Sequence, residues 1–515
     1  MLRLIFSCLI AVTGLTALAP AARADDTAAA ARVIERLALP ITSDNEIERK
    51  ERGVIKAFYE QRQGALVWTS ATGLTPAAQA LIAELKNAGA YGLDATAFKV
   101  PEFGSEMTVE ARANAELALT QAALLYARHA RGGRILAPSE QLNSNLDRKP
   151  QLLEPQAVLD GLVAVGEPDA YLRGLHPKHP QFEKLRLAYV AALPSNGGSV
   201  ALSASVKRLR ANMEMWRWMW DDLGELHVFN NIPEFMQRVY RNGEVIRSEK
   251  IVAGMIDKQS SVFSRPLKFV VLRPAWKMPE SIKVKELWPS LLRGGGYMRQ
   301  YGLQLESKDG QPLDYRKIDW TKVDIRSYDV VQPPGPRSVL GHVKFSFPSQ
   351  HTIFMHDTPD KWMFRSSQRT HSHGCLRVQK PMQLAEIILD YDKGWDAAKV
   401  AEVSRSGPLN NEIELQKKVP IHLAYFTAWA DEAGKVSLFR DVYGHEKRVT
   451  QALDGEWSKI NKGRDHLAPV QNGFNPAEVA ARAPSGSTGP GGAPVRRGQQ
   501  KNATLGDILS DALGF

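Results

Sequence analysis

Apolar residues change their spacing once along this chain, and that change restricts it to folds in which helices and strands are segregated. Before about residue 195 they recur at intervals of three and four through stretches rich in Ala, Leu, Glu and Arg. Residues 30–39, 45–62, 75–88 and 108–131 are therefore expected to be helices. Thr75 can cap the third with Pro76 at its first position, and Gly132-Gly133 closes the longest. From Leu226 onward, short runs rich in β-branched and aromatic residues take over: 226–229, 237–240, 244–252 after the turn Arg241-Asn242-Gly243, 268–272, 341–347 and 352–355. Runs at 420–429 and 436–439 read as later strands. The fold class is α+β, an N-terminal helical scaffold domain followed by a mainly β domain.

Residues 1–24 combine Arg3, an uncharged apolar run from Leu4 to Ala19, and Ala22-Arg23-Ala24. That is the pattern of a cleavable signal peptide, too short to span a bilayer comfortably, so export is expected and no other stretch reads as transmembrane. The scaffold is expected over 25–200. A connecting helix follows over 201–222, with Val206, Leu209, Met213, Trp216 and Trp220 on one face, and then the β domain over 223–405. Residues 406–470 read as a C-terminal β extension, and 471–515 as a disordered linker with a short amphipathic tail. Between about 279 and 336 the strand signal is interrupted by 283–293, by Gly294-Gly295-Gly296, and by the polar stretch 307–322, which lacks the pattern of a core element. An insertion at this point is a candidate lid. The net charge of +10 suits acidic partners or an anionic envelope. Without a Lys/Arg block or a basic stripe interleaved with aromatics, nucleic acid is not an expected partner.

Of two cysteines, Cys8 lies in the leader, which leaves Cys375 as a lone thiol in an exported protein. A free cysteine is by default a small buried hydrophobe. The stretch Thr370-His371-Ser372-His373-Gly374-Cys375-Leu376-Arg377-Val378 changes that expectation. Its histidines and arginine raise the positive potential that favours thiolate, and Gly374 permits an oxyanion-binding turn. His356, at the end of the run 352–355, precedes Cys375 by nineteen residues, enough for a loop to bring imidazole to thiol. Asp357 would point away from its neighbour on a strand and need not complete a triad. His129, His176 and His179 lack convergent partners and read as structural. The rival chemistry is zinc: His371, His373 and Cys375 alternate, so one strand face could present all three, with His356 as the fourth ligand. Gly374 and Arg377 suit an oxyanion turn better, and neither a metal nor another cofactor is expected.

Four stretches resemble the L,D-transpeptidases of the bacterial cell wall, specifically the larger Gram-negative type with a helical scaffold before the catalytic domain. They are His356-Asp357-Thr358-Pro359, Ser372 to Val378, Pro333-Pro334-Gly335-Pro336 followed by Leu340-Gly341, and Tyr425-Phe426-Thr427-Ala428-Trp429. The resemblance covers roughly residues 57–449. It implies Cys375 as nucleophile and His356 as general base. The backbone amides of Gly374 and Cys375, with His373, would form the oxyanion environment, and Ser372 and Arg377 would support the site or the substrate carboxylate. The implied substrates are peptidoglycan stem peptides: Cys375 would form a thioester at diaminopimelate, release D-Ala, and pass the acyl group on. An amine of another stem would give a 3-3 cross-link, an amine of an envelope protein a wall anchor, and water an L,D-carboxypeptidase. Carbapenem-type inhibitors and a periplasmic, wall-associated location follow from the same resemblance. Two features depart from it. Only residues 191–204 lie where many relatives carry a peptidoglycan-binding module, and His371 stands where an apolar residue is expected, so a buried, satisfied histidine is anticipated. A non-catalytic wall-binding protein, whose binding would survive loss of Cys375, is the remaining alternative.

Overall fold

The computed structural model describes residues 19–40, 45–63, 65–102, 107–193 and 202–468. Most of the expected leader, the break at 196–199 and the C-terminal linker and tail lie outside these residues. The chain forms two compact units, one from residues 1–136 with 150–218, the other from 137–149 with 219–515. Among the described residues no helix is long and apolar enough to cross a membrane.

The first unit is helical. Asn45, Thr75 and Thr108 cap helices Glu46–Gln61, Pro76–Asn87 and Val109–Gly132, each side chain accepting a backbone N–H of the first turn. Gly133 ends the longest helix at φ 82°. That helix is buried along most of its length, and Leu119, Ala123 and Tyr126 join Tyr59, Leu81 and Leu85 in the core. The histidines here are structural. His129 is held down to about 3 by burial, aided by the Arg128 charge. His176 stacks on Tyr91 at 4.2 Å, and His179 caps helix Pro180–Ala192 through Gln181 N–H.

The second unit is built on an eleven-stranded curled sheet. Its strands, in chain order, are β1 Leu226–Asn231, β2 Met236–Arg241, β3 Glu244–Gly254, β4 Phe263–Pro266, β5 Phe269–Leu272, β6 Val343–Ser346, β7 Met355–His356, β8 Thr370–Ser372, β9 Leu376–Val378, β10 Asn411–Glu414 and β11 Pro420–Ala424. They are ordered β10-β5-β6-β7-β9-β3-β2-β1-β11-β4, with β8 paired in parallel to β3. The helical scaffold followed by a mainly β unit is the α+β arrangement expected from the sequence.

Three features differ from the sequence reading. The run 352–355 begins as a strand only at Met355, because Thr352 takes φ 52° in a turn closed by its N–H on Ser349 O. Strand β11, expected in a C-terminal extension, pairs with both β1 and β4 and so belongs to the main sheet, and residues 445–453 are helical. Residues 137–149, expected in the scaffold, pack into the β unit. Leu146 bridges Val262, and buried Arg148 donates to Ser264 Oγ at 2.5 Å and Leu423 O at 2.6 Å.

The insertion is a small folded body. Strands Trp276–Lys277, Gln304–Glu306, Pro312–Leu313 and Asp329–Gln332 form a four-stranded sheet, under which Leu287, Met298, Leu305, Trp320 and Val330 are buried together. Trp320 overturns the expectation that 307–322 lacks a core element: a single large side chain anchors an otherwise polar loop. Its indole donates to Tyr315 O, and Trp288 Nε1 donates to Trp320 O.

Candidate active site

Parallel pairing of β7 with β9 sets Met355 opposite Leu376 and His356 opposite Arg377, and Leu376 N donates to Phe354 O at 3.1 Å. Side chains alternate along strands, so Phe354 and His356 share a face with Cys375 and Arg377, while Met355, Leu376 and Val378 enter the core. Lys344 on β6 lies opposite His356, its Nζ 4.8 Å from the centre of the Phe354 ring. The sheet thereby brings Cys375 and His356 to diagonal positions on adjacent strands.

Cys375 leaves the turn half-buried. Gly374 has φ 112°, a conformation closed to most side chains. Two hydroxyls hold the turn. Ser372 Oγ accepts Gly374 N–H at 3.2 Å and donates to Cys375 O at 2.6 Å, while Ser260 Oγ donates to Gly374 O at 2.7 Å. Ser260 in turn accepts Gly254 N–H, and Tyr443 OH donates to Gly254 O. The Gly374 amide, expected to face an oxyanion, is therefore engaged by Ser372. The Cys375 N–H has no intramolecular partner among the described residues.

His373 and Arg377 are held from opposite sides. His373 Nε2 lies 2.8 Å from Glu286 Oε1, which also accepts Lys258 Nζ at 2.8 Å. Arg377 is buried and donates to Thr358 Oγ1 and Asp360 Oδ2, both at 3.0 Å. It braces the loop after His356 and does not stand free for a substrate carboxylate. Asp357 is committed elsewhere: its carboxylate accepts His342 N–H and Thr358 N–H and pairs with Lys361. Gly341, at φ 60°, is packed so closely on Asp357 that a Cβ there would come within 2.4 Å of Oδ2. This contact ties the Leu340-Gly341 stretch to the His356 loop. His371, anticipated as buried, is half-buried beside the Trp362 ring at 5.6 Å. The alternation that would have placed it with His373 and Cys375 on one strand face is broken, because β8 ends at Ser372 and β9 starts at Leu376.

His356 Nδ1 meets Asp357 O. A carbonyl only accepts, so Nδ1 carries the proton and Nε2 keeps its lone pair. Burial, with the Arg377 charge adding to it, holds this imidazole down to about 3. Burial pushes the Cys375 thiol up to about 11, against the opposing pull of the Phe354 N–H and the Lys344 and Arg377 charges. The resting pair is accordingly neutral, where the sequence had suggested thiolate, because desolvation outweighs the nearby cations.

Sequence reasoning missed Glu286, Lys258, Ser260 and Lys344. Only Glu286 carried a signal, an acid between Val284 and Leu287 in an amphipathic stretch. It lies in the π-helical turn Lys283–Leu287, which ends two residues before Pro289, whose missing N–H and bulky ring disfavour a regular α-turn.

A clamped glycine turn thus presents a thiol on the sheet face that also carries a histidine whose tautomer is fixed. Residues 225–401 match the family described as the L,D-transpeptidase catalytic domain, and residues 53–188 the family described as the Scaffold domain. The catalytic-domain match contains His356, His373, Cys375 and Arg377, and the Scaffold match precedes it in the chain. A curated protein named "Putative L,D-transpeptidase", from Haemophilus influenzae (strain ATCC 51907 / DSM 11121 / KW20 / Rd), is 30% identical over 236 residues, 46% of this chain and 47% of that protein. The chain thus spans about half the length of this curated relative. A solved L,D-transpeptidase from Mycobacterium smegmatis is 13% identical, covering 38% of this chain and 58% of that one at a TM-score of 0.18.

Proposed function

We propose that this chain is an exported peptidoglycan L,D-transpeptidase with Cys375 as nucleophile and His356 as general base. The observation that carries the proposal is the juxtaposition, on one sheet face, of a half-buried thiol and an imidazole whose Nε2 lone pair is fixed by the Nδ1 contact to Asp357 O. His356 Nε2 takes the thiol proton as sulfur attacks the carbonyl between diaminopimelate and the terminal D-Ala of a tetrapeptide stem. The free Cys375 N–H, with His373 beside it, meets the charge that develops on the carbonyl oxygen. The C–N bond breaks, D-Ala leaves with the proton from His356, and a thioester remains. Attack by a stem amine then gives a 3-3 cross-link. A protein amine would give a wall anchor, and water a carboxypeptidase product. Mass spectrometry of the intact protein with disaccharide-tetrapeptide tests this: an adduct on Cys375 and released D-Ala are expected. Absence of both under varied acceptors would sink the proposal. Carbapenem-type β-lactams should acylate the wild type and leave Cys375→Ser unlabelled; labelling of that variant at the wild-type rate would point to another nucleophile.

A further inference from the structure

Glu286 is a largely buried acid of the insertion that the mechanism above does not use. Its side chain is 8% exposed, and its Oε1 is occupied by His373 and Lys258, while Oε2 is buried with no hydrogen-bond partner. An unpartnered buried carboxylate oxygen is costly, and a bound donor or cation would complete it. Glu286 also lines a cavity walled by Trp276, Met278, Tyr297, Tyr301 and Leu303. The cavity has room for a single water-sized group, about 10 Å³. Its other walls are apolar or aromatic. Lys258, the nearest paired cation, is already taken by Oε1, so nothing there favours an anion.

We propose that this cavity receives the primary ammonium group of the acyl acceptor, with Glu286 Oε2 as its counter-ion and the Tyr297 and Tyr301 rings around it. The inference rests on the transpeptidase proposal and names the chemistry of its second substrate. Size excludes anything bulkier than an ammonium head, charge selects a cation, and aromatic walls favour one further. Glu286 links the cavity to the site, since it touches His373, two residues from Cys375. The step balances simply. The ammonium loses one proton to solvent by way of the Glu286–His373 pair, nitrogen forms the C–N bond, and the C–S bond breaks. The second nitrogen proton passes through His356 to sulfur, so thioester plus ammonium give amide, thiol and one released proton.

The test is the partition of the acyl-enzyme between amine and water, followed on the full chain loaded with disaccharide-tetrapeptide. Two acceptors separate the sources of such an amine: a second stem peptide, with its diaminopimelate amine, and Nα-acetyl-lysine amide, a plain alkyl amine. For whichever acceptor the wild type uses, Glu286→Gln should lower the ratio of aminolysis to hydrolysis at least tenfold. Met278→Phe, which narrows the cavity without touching Glu286, should lower it as well and decides the matter if the first variant does not fold. If Glu286 merely positions His373, both branches slow together and the ratio stays constant; that result would overturn the proposal. A wild type that forms no Cys375 adduct would instead remove the transpeptidase reading on which it stands.

Discussion

At the scale of single residues, the site works with neutral partners. With the imidazole held down to about 3 and the thiol up to about 11, neither group should titrate between them. Acylation by a carbapenem is therefore expected to vary little from about pH 5 to 9. A profile with a limb near 6.5, the ordinary histidine value, would indicate a thiolate–imidazolium pair instead. Replacing His356 with Ala should slow acylation by about two orders of magnitude, the usual loss for a general base, whereas His371→Phe should lose far less. If His356→Ala acylated normally and His373→Ala were dead, the roles would have to be exchanged. Cys375 and His356 could be picked out of the sequence because each sits in a local motif. Ser260 could not, and the acid at 286 in an amphipathic stretch gave no hint of its partner, since the two reach the turn from 114 and 87 residues away and no spacing rule announces such contacts.

At the scale of elements, the helices at 45–62, 75–88 and 108–131 were read to within a residue because their caps lie beside them in sequence, as Thr75 and Thr108 do. The one expected at 30–39, by contrast, begins at Ala19, and the connecting helix expected over 201–222 spans only Ala204–Trp216. Strands depend on partners distant in the chain. Nothing local in Pro420–Ala424 says that it will lie between β1 and β4, and a turn at Thr352 shortened a run whose residue types suit a strand. The insertion makes the same point through Trp320. Trp320→Ala should destabilise the insertion by about 3–5 kcal/mol, as for other buried large aromatics, and should lower its unfolding midpoint in urea. Deleting 307–322 should be at least as damaging, because it removes the indole together with strand Pro312–Leu313. Near-wild-type stability of either variant would show that Trp320 fills no essential space.

At the scale of the whole molecule, buried histidines make stability sensitive to acid. His129, His356 and His445 are each held down to about 3, chiefly by burial, whereas in the unfolded chain they protonate near 6.5. Below about 6.5 the unfolded state binds protons that the folded state refuses, so stability should fall from there toward about 3 and owe nothing to these groups above 6.5. Urea midpoints measured across pH 8 to 4 check this, and a midpoint rising on acidification would contradict it. The stretch 137–149 has a consequence of another kind, in the order of events during synthesis. Arg148 needs Leu423 O, 275 residues further on, so its place in the β unit does not exist when it leaves the ribosome. At ordinary elongation rates it waits on the order of tens of seconds. During that interval the residues on either side can already join the helical unit, which leaves a tethered loop to be captured last.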